Sequence, residues 1–373
     1  MRILLRGYYE AGNTGDDGLL AVMLHYLGRW FSGSEVLISP PGDSQLPQVP
    51  VKCTGGHRSW RLPSSLLRSH AIVFGGGGVL HHYGATGADL QFQLRICQMA
   101  RALRRPIAYL GISVGPLVGA ASRRTVRRIL RMTDVILLRD QLSAELVEEI
   151  APGLQYSLGP DPVLLLPEVD LPRNPPLCHQ CHNKSLGISI APFFSVAHHN
   201  HEGDQRVYQA MAEALDGVLD SGGVEMVKLF CLHAGAEYDY GAARAVQSRM
   251  RHARRACVIP YLPNPYDVFA EISSCDYFLG FRLHATVLAY MASVPMATVD
   301  YHPKVTGFAD MIELPEQARL PLEDVERDNL SQLLEQLVSG NIPLARVPYE
   351  QVRNQADAAL EQAGQRLLKL SGG

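Results

Sequence analysis

An apolar run that ends in a glycine, a run of helical composition and a second apolar run follow one another over residues 276–300, DYFLGFRLHATVLAYMASVPMATVD. That order leaves few folds open. Residues 276–280 read as a strand, 285–292 as a helix and 294–300 as the next strand, and two strands joined through a helix pair in parallel by a right-handed crossover. Arg282, Leu283 and His284 then fall at the strand-to-helix junction, and Lys304 follows the second strand in Tyr301-His302-Pro303-Lys304. Ligands of open α/β sheets sit beyond the carboxyl ends of the strands, where the next helix offers unpaired N–H groups and a positive dipole end. Arg282, His284 and Lys304 would add donors for a phosphate or carboxylate there. An ordinary βαβ unit with solvated Arg and Lys and a helix-capping His carries the same pattern.

A chain of 373 residues is long for one core and suits two domains. Its net charge of -3 gives no pull toward nucleic acid or acidic polymers, so no nucleic-acid partner is expected. The chain opens Met-Arg-Ile-Leu-Leu and runs into a glycine-rich loop, which reads as a first strand and not as a leader. The apolar stretch 107–121 is broken by Gly111, Gly115, Pro116 and Gly119 and is too short for a bilayer. Seven cysteines, an odd number, do not make a disulfide framework. These features predict a cytoplasmic protein.

Strands alternate with helices in both halves, which predicts two Rossmann-like domains facing each other across a cleft. The expected bounds are 1–170 for the first domain, 171–184 for a linker, 185–345 for the second domain and 346–373 for a terminal helix. Residues 2–6 form the first strand, followed by the loop GYYEAGNTGDDG and a helix with Leu19, Leu20, Met23, Tyr26 and Leu27 on one face. Thr14 and Asp17 have capping-box spacing. The loop is neither GxGxxG nor GxxxxGK[ST], yet it can wrap a ligand, with Asp16 and Asp17 accepting from sugar hydroxyls. A tight βα turn with acids at a helix start explains it equally well.

Gly75-Gly76-Gly77-Gly78 follows a strand at 71–74 and must bring backbone close to something, a ligand or a packed helix start. His81, His82 and Tyr83 lie on the same rim. Strands at 107–114 and 134–138 follow, the second ending in Arg139-Asp140, which by itself reads as a surface pair. Between them Arg123, Arg124, Arg127, Arg128 and Arg131 recur at helical spacing, either a solvated face or a dock for an anionic membrane surface. The linker holds Cys178-His179-Gln180-Cys181-His182, formally a haem-attachment match or half a zinc site with His198, His199 or His201, but no ligand set is specified. Asn264, Pro265 and Asp267 follow a strand and can touch an acceptor.

Several of these motifs carry a resemblance. Gly12-Asn13-Thr14-Gly15-Asp16-Asp17, the Gly75–Gly78 run, Arg139-Asp140, Asp161-Pro162 and Arg282-Leu283-His284 through Tyr301-His302-Pro303-Lys304-Val305 together resemble the polysaccharide pyruvyl transferase family. Asp17 replaces the glutamate common in that family. The resemblance implies a glycosyltransferase-B-like pair of domains, phosphoenolpyruvate as donor and, as acceptor, a sugar diol of a cell-surface polysaccharide or of its lipid-linked precursor. It also implies that Arg139 reaches across the cleft to the donor, and that Gly76, Gly77 and Gly78, with Gly12, Asn13, Thr14 and Gly15, wall the acceptor side.

Phosphoenolpyruvate carries a carboxylate and a phosphate, and Arg139, Arg282 and Lys304 with His284 would meet them. Ketal formation needs an acid and a base. His284 is the candidate for phosphate binding or proton transfer, and Asp16 or Asp17 for the base. No metal and no cofactor beyond this co-substrate is expected. Two other readings stay open: a nucleotide-sugar glycosyltransferase of the same fold, with Asp267 or Glu271 on the ribose, and a non-catalytic polysaccharide-binding protein on a decayed scaffold.

Overall fold

The computed structural model describes residues 1–9, 12–39, 52–55, 62–82, 88–168, 184–194 and 200–372. The Cys178–His182 insert, His198, His199 and Tyr83 lie outside them. The chain forms two compact units, one of Met1–Ala11, Gly15–Pro172 and Val352–Gly373, the other of Gly12–Thr14 and Arg173–Gln351.

The first unit is built on strands β1 (Arg2–Arg6), β2 (Glu35–Ser39), β3 (Lys52–Gly55), β4 (Ala71–His82), β5 (Ile107–Leu117), β6 (Val135–Leu138) and β7 (Ser157–Leu158). They pair in parallel in the order β3-β2-β1-β4-β5-β6-β7. The second unit repeats the pattern with β8 (Ser185–Ser189), β9 (Met226–Phe230), β10 (Ala256–Ile259), β11 (Tyr277–Gly280), β12 (Met296–Asp300) and β13 (Arg319–Pro321), ordered β10-β9-β8-β11-β12-β13. The order in which strands are added therefore reverses once in each sheet, between β1 and β4 in one unit and between β8 and β11 in the other. That reversal opens a crevice at the carboxyl ends, the usual ligand position of such sheets.

Burial explains why these runs became strands. Ile3, Leu4 and Leu5 are each 0% exposed, so β1 buries both faces, as a central parallel strand covered by helices must. In the second unit Leu186 and Ile188 of β8 and Phe278 and Leu279 of β11 do the same. The covering helices of the first unit are α1 (Thr14–Trp30), α2 (Leu62–Arg68), α3 (Ala88–Ala102), α4 (Gly119–Arg131) and α5 (Gln141–Ile150). Those of the second are α6 (His201–Asp220), α7 (Gly241–Arg249), α8 (Pro265–Ser273), α9 (Leu283–Met291), α10 (Pro303–Met311) and α11 (Arg327–Val338).

The last helix, α12 (Tyr349–Leu370), contributes residues from Val352 onward to the first unit. Sequence reading treated 346–373 as a terminal helix on its own. Its docking is specific: Tyr26 Oη donates to Asp357 at 2.6 Å, Trp30 Nε1 donates to Glu361 at 2.9 Å, and Arg29 pairs with Glu361 at 3.0 Å. Gly364 lets the Trp30 ring lie flat on the helix, since a Cβ there would stand 2.1 Å from the indole.

Candidate functional site

In the second unit β11 and β12 lie side by side in parallel, with Phe278 opposite Met296 and Gly280 opposite Thr298. The helices that follow them therefore begin on the same edge of the sheet. Arg282 is the residue before α9, Leu283 and His284 are its first two residues, and Lys304 is the second residue of α10. Gly280 makes the turn possible, because a Cβ there would meet Thr286 Oγ1 at 2.2 Å. His302 caps α10 by accepting from Lys304 N at 3.1 Å, which fixes the backbone from which the lysine projects.

Arg282 is held at both ends. Its backbone N–H and that of Phe281 donate to Ser189 Oγ at 3.1 and 3.0 Å, tying the turn to the end of β8 at the sheet reversal. Its guanidinium is ion-paired through Nη2 with Asp239, which is 0% exposed, and is hydrogen-bonded to Tyr301. Burial works to lower the Arg282 pKa, but Asp239 and Tyr301 outweigh it and push it up. The charge is thus permanent. Arg282 Nε is buried and has no hydrogen-bond partner among the described residues, an unmet donor of a kind that costs about 1–3 kcal/mol.

His233 lies against Tyr238, with ring centroids 4.3 Å apart and the rings tilted by 44°, and burial together with the nearby Arg282 charge lowers its pKa from 6.5. It stays neutral at physiological pH. Phe193 stands edge-on to Tyr301 at 5.0 Å and supplies the apolar wall. Asp239, Ser189 and Tyr301 were not singled out from sequence as site residues. Ser189 carried a usable signal, since it ends the first strand of the second unit, whereas Asp239, nine residues past the end of β9, carried none.

In the first unit the glycine run is not a loop: β4 continues through it to His82. Gly75 and Gly76 take the close approach of α1 and Tyr9, with a Cβ at Gly76 meeting Leu19 at 2.7 Å and one at Gly75 meeting Tyr9 Oη at 2.6 Å. Tyr9 Oη donates to the Gly75 carbonyl. Gly77, at φ +80°, faces Asp16, whose Oδ1 would lie 2.8 Å from a Cβ there. Packing by α1 accounts for Gly75 and Gly76, whereas Gly77 makes room for a carboxylate.

Asp16 belongs to a small polar group at that reversal. Tyr8 lies 5.5 Å from the His81 ring, and burial, then the charges of Asp89 and Asp16, push its pKa up to about 12. The hydroxyl stays protonated as a donor. Asp17 is 5% exposed and Thr14 1%. The Thr14 hydroxyl donates to Leu232 O at 3.3 Å, a use that capping-box spacing does not foretell.

Arg139 sits elsewhere in this unit, in a buried network. Its Nη1 donates to Asp161 at 2.6 Å and its Nε to Ser113 Oγ at 2.7 Å, while Ser113 donates to Asp140 at 2.6 Å. Asp140 caps α5 by accepting from Ser143 N at 2.8 Å. The Arg139-Asp140 and Asp161-Pro162 motifs thus meet in one cluster that joins β5, β6 and α5. Of the other candidates, Asn264 caps α8 and bonds Asp267, and Glu271 is 1% exposed in an ion pair with Lys228 at 3.3 Å. Arg124, Arg127, Arg128 and Arg131 are exposed on α4, and Arg123 pairs with Glu149.

Among the described residues no group of three or more His, Cys, Asp or Glu side chains could hold a metal, and no helix is long and apolar enough to cross a membrane. Residues 13–303 match the family model described as polysaccharide pyruvyl transferase. The amylovoran biosynthesis protein AmsJ of Erwinia amylovora is 22% identical over 310 residues, 78% of this chain and 68% of that one. In structure the chain is similar to UDP-GlcNAc 2-epimerase from Neisseria meningitidis, with a TM-score of 0.61 at 13% identity over 97% of this chain and 99% of that one. It is similar also to Anabaena HepE in complex with UDP and glucose, with a TM-score of 0.57 at 13% identity over 100% and 97% of the two chains. These likenesses give the fold, a glycosyltransferase-B-like pair of α/β units.

Proposed function

The chain belongs to the polysaccharide pyruvyl transferase family, and on that premise we propose that it moves the pyruvyl group of phosphoenolpyruvate onto two hydroxyls of a sugar in a surface polysaccharide or its lipid-linked precursor. The observation that carries this reading is the fixed Arg282 guanidinium on the same sheet edge as His284 and Lys304. Asp239 cancels much of the Arg282 charge, so its pairing serves orientation. Net attraction for a donor bearing phosphate and carboxylate comes from Lys304 and the two helix N-termini, with His284 beside them. The unmet Arg282 Nε suits one more acceptor oxygen.

In the proposed reaction the methylene carbon of the donor takes a proton and becomes a methyl group. One sugar hydroxyl attacks the resulting cationic carbon, the C–O bond to phosphate breaks, and the second hydroxyl closes the ketal. Of the two hydroxyl protons, one balances the new methyl C–H and the other leaves with phosphate. His284 binds phosphate or moves the first proton, and Asp16 or Asp17 takes a hydroxyl proton. The resemblance also gives Arg139 to the donor, but its burial against Asp161 and Ser113 favours a role in holding the first unit together. A nucleotide-sugar donor is disfavoured by Glu271, which is spent on Lys228, and by Asp267, which is bonded to Asn264.

Calorimetric titration with phosphoenolpyruvate, beside uridine diphosphate and repeated on Arg282→Ala, tests the assignment. Donor binding that vanishes in the variant supports it, and binding of the nucleotide alone overturns it. A lipid-linked acceptor would bring the enzyme to the inner face of a membrane, and the exposed arginines of α4, a helix without any acid, suit an anionic surface at about 1 kcal/mol each. Replacing Arg124, Arg127, Arg128 and Arg131 by Gln should then abolish sedimentation with phosphatidylglycerol vesicles. Unchanged sedimentation would remove α4 from that role.

A further inference from the structure

The Gly12-Asn13-Thr14 turn belongs to the second unit, and its hydrogen bonds end on the segment that holds Arg282. Thr14 N donates to Leu232 O at 3.0 Å, Ala234 N donates to Gly12 O at 2.8 Å, and Asn13 forms an antiparallel bridge with His233. Gly12 is required for this fit: its φ is +69°, and a Cβ would stand 2.4 Å from the Ala234 Cβ. Leu232 then turns the contact inward. Its N–H donates to Asp239 Oδ2 at 2.9 Å while Asp239 Oδ1 pairs with Arg282. A single residue, Leu232, thus accepts from the turn and donates to the carboxylate.

We infer that Gly12, Asn13 and Thr14 are positioning residues for Arg282, acting through Leu232 and Asp239, and do not themselves contact the acceptor. The turn clamps residues 232–234 and thereby fixes the Leu232 N–H that orients Asp239. With its second oxygen fixed in this way, the carboxylate presents the first to Arg282 in one geometry. This explains why a glycine stands at position 12 and a threonine at position 14, with no appeal to a sugar. The inference rests on the donor reading only for its consequence in catalysis.

The test needs no substrate. Modification of Arg282 by phenylglyoxal, followed by the mass of its peptide, reports how firmly the guanidinium is held. Asp239→Asn should accelerate it about tenfold, the scale of one charge-assisted hydrogen bond. Gly12→Ala should accelerate it as well, and should add nothing in the Asp239→Asn background, because both act on one guanidinium. Thr14→Val, which keeps the shape of the turn, is the milder variant, and melting curves show which variants remain folded. Unchanged modification in folded Gly12→Ala and Thr14→Val, or effects that multiply with Asp239→Asn, would overturn the relay. In the full reaction both turn variants should raise the donor KM and leave the acceptor KM unmoved, whereas a rise confined to the acceptor would return the turn to the acceptor side. Should the wild-type protein fail to bind phosphoenolpyruvate, the donor reading falls and the modification rates still decide the relay.

Discussion

Each unit ends a strand in an arginine paired with a buried aspartate, and the two pairs differ in one respect. In the first unit both partners are enclosed, Arg139 being 5% exposed and Asp161 8%. In the second the aspartate is enclosed at 0%, but Arg282 keeps 27% of its side chain in the open. Both guanidiniums are oriented by fixed acceptors, Ser113 and Asp161 in one case, Asp239 and Tyr301 in the other. What separates them is an accessible face. A cation sealed on all sides fastens strands, whereas one anchored from behind and open in front can meet a ligand.

That contrast can be broken by experiment. Arg282→Ala should weaken phosphoenolpyruvate binding by about a hundredfold or more, and should destabilise the fold by about 3–5 kcal/mol because Asp239 is left buried and unpaired. Titration and thermal melting read the two effects separately. Arg139→Ala should cost a similar amount of stability, about 3–5 kcal/mol, while donor affinity of the folded protein changes little. If Arg139→Ala instead loses the donor without a change in melting, the contrast fails and the role implied by family resemblance stands.

A smaller effect sharpens the difference between the two sheet reversals. Asp16→Asn should lower turnover by about a hundredfold, the range of one proton-transfer group, and leave donor binding intact. Loss of donor binding in that variant would move Asp16 from the acceptor to the donor. A separate effect, on stability at high pH, should appear in both units. Burial raises Cys97 from 9.0 to about 11 and Tyr8 from 10.0 to about 12 in the first unit, and Cys231 and Cys275 from 9.0 to about 12 in the second. The unfolded chain releases these protons first. Their contribution is therefore complete below about pH 9 and is lost as pH rises through 11 and 12, which urea midpoints at pH 8 and 10.5 would show.

Periodic segments were legible from sequence because local pattern and burial agree there. The strand expected over 276–280 is found as Tyr277–Gly280, and the helix expected over 285–292 as Leu283–Met291. Strands β2, β3 and β13 and helix α3 escaped notice, being short or lacking a sharp apolar stripe. Placing Arg282, His284 and Lys304 on one sheet edge needed only the crossover rule. Asp239 was beyond reach, because it is brought to Arg282 by pairing β8 with both β9 and β11 and sits 43 positions away in sequence. The glycine run shows a different limit: sequence marks close approach without saying what approaches, and what meets Gly75 and Gly76 is the molecule's own Tyr9 and Leu19.

The docking of α12 on the first unit has a consequence for biosynthesis. Tyr26 and Trp30 wait for partners at Asp357 and Glu361, which leave the ribosome after the whole second unit has been made. The amino-terminal unit, first to be translated, is therefore the last to be completed. During that interval its aromatic pair and the face of α1 beneath it stay uncovered, open to chaperones and to aggregation. A nascent chain stalled before residue 352 should be held by a holdase, and a chain lacking its last twenty or so residues should expose an apolar seam while its second unit folds normally.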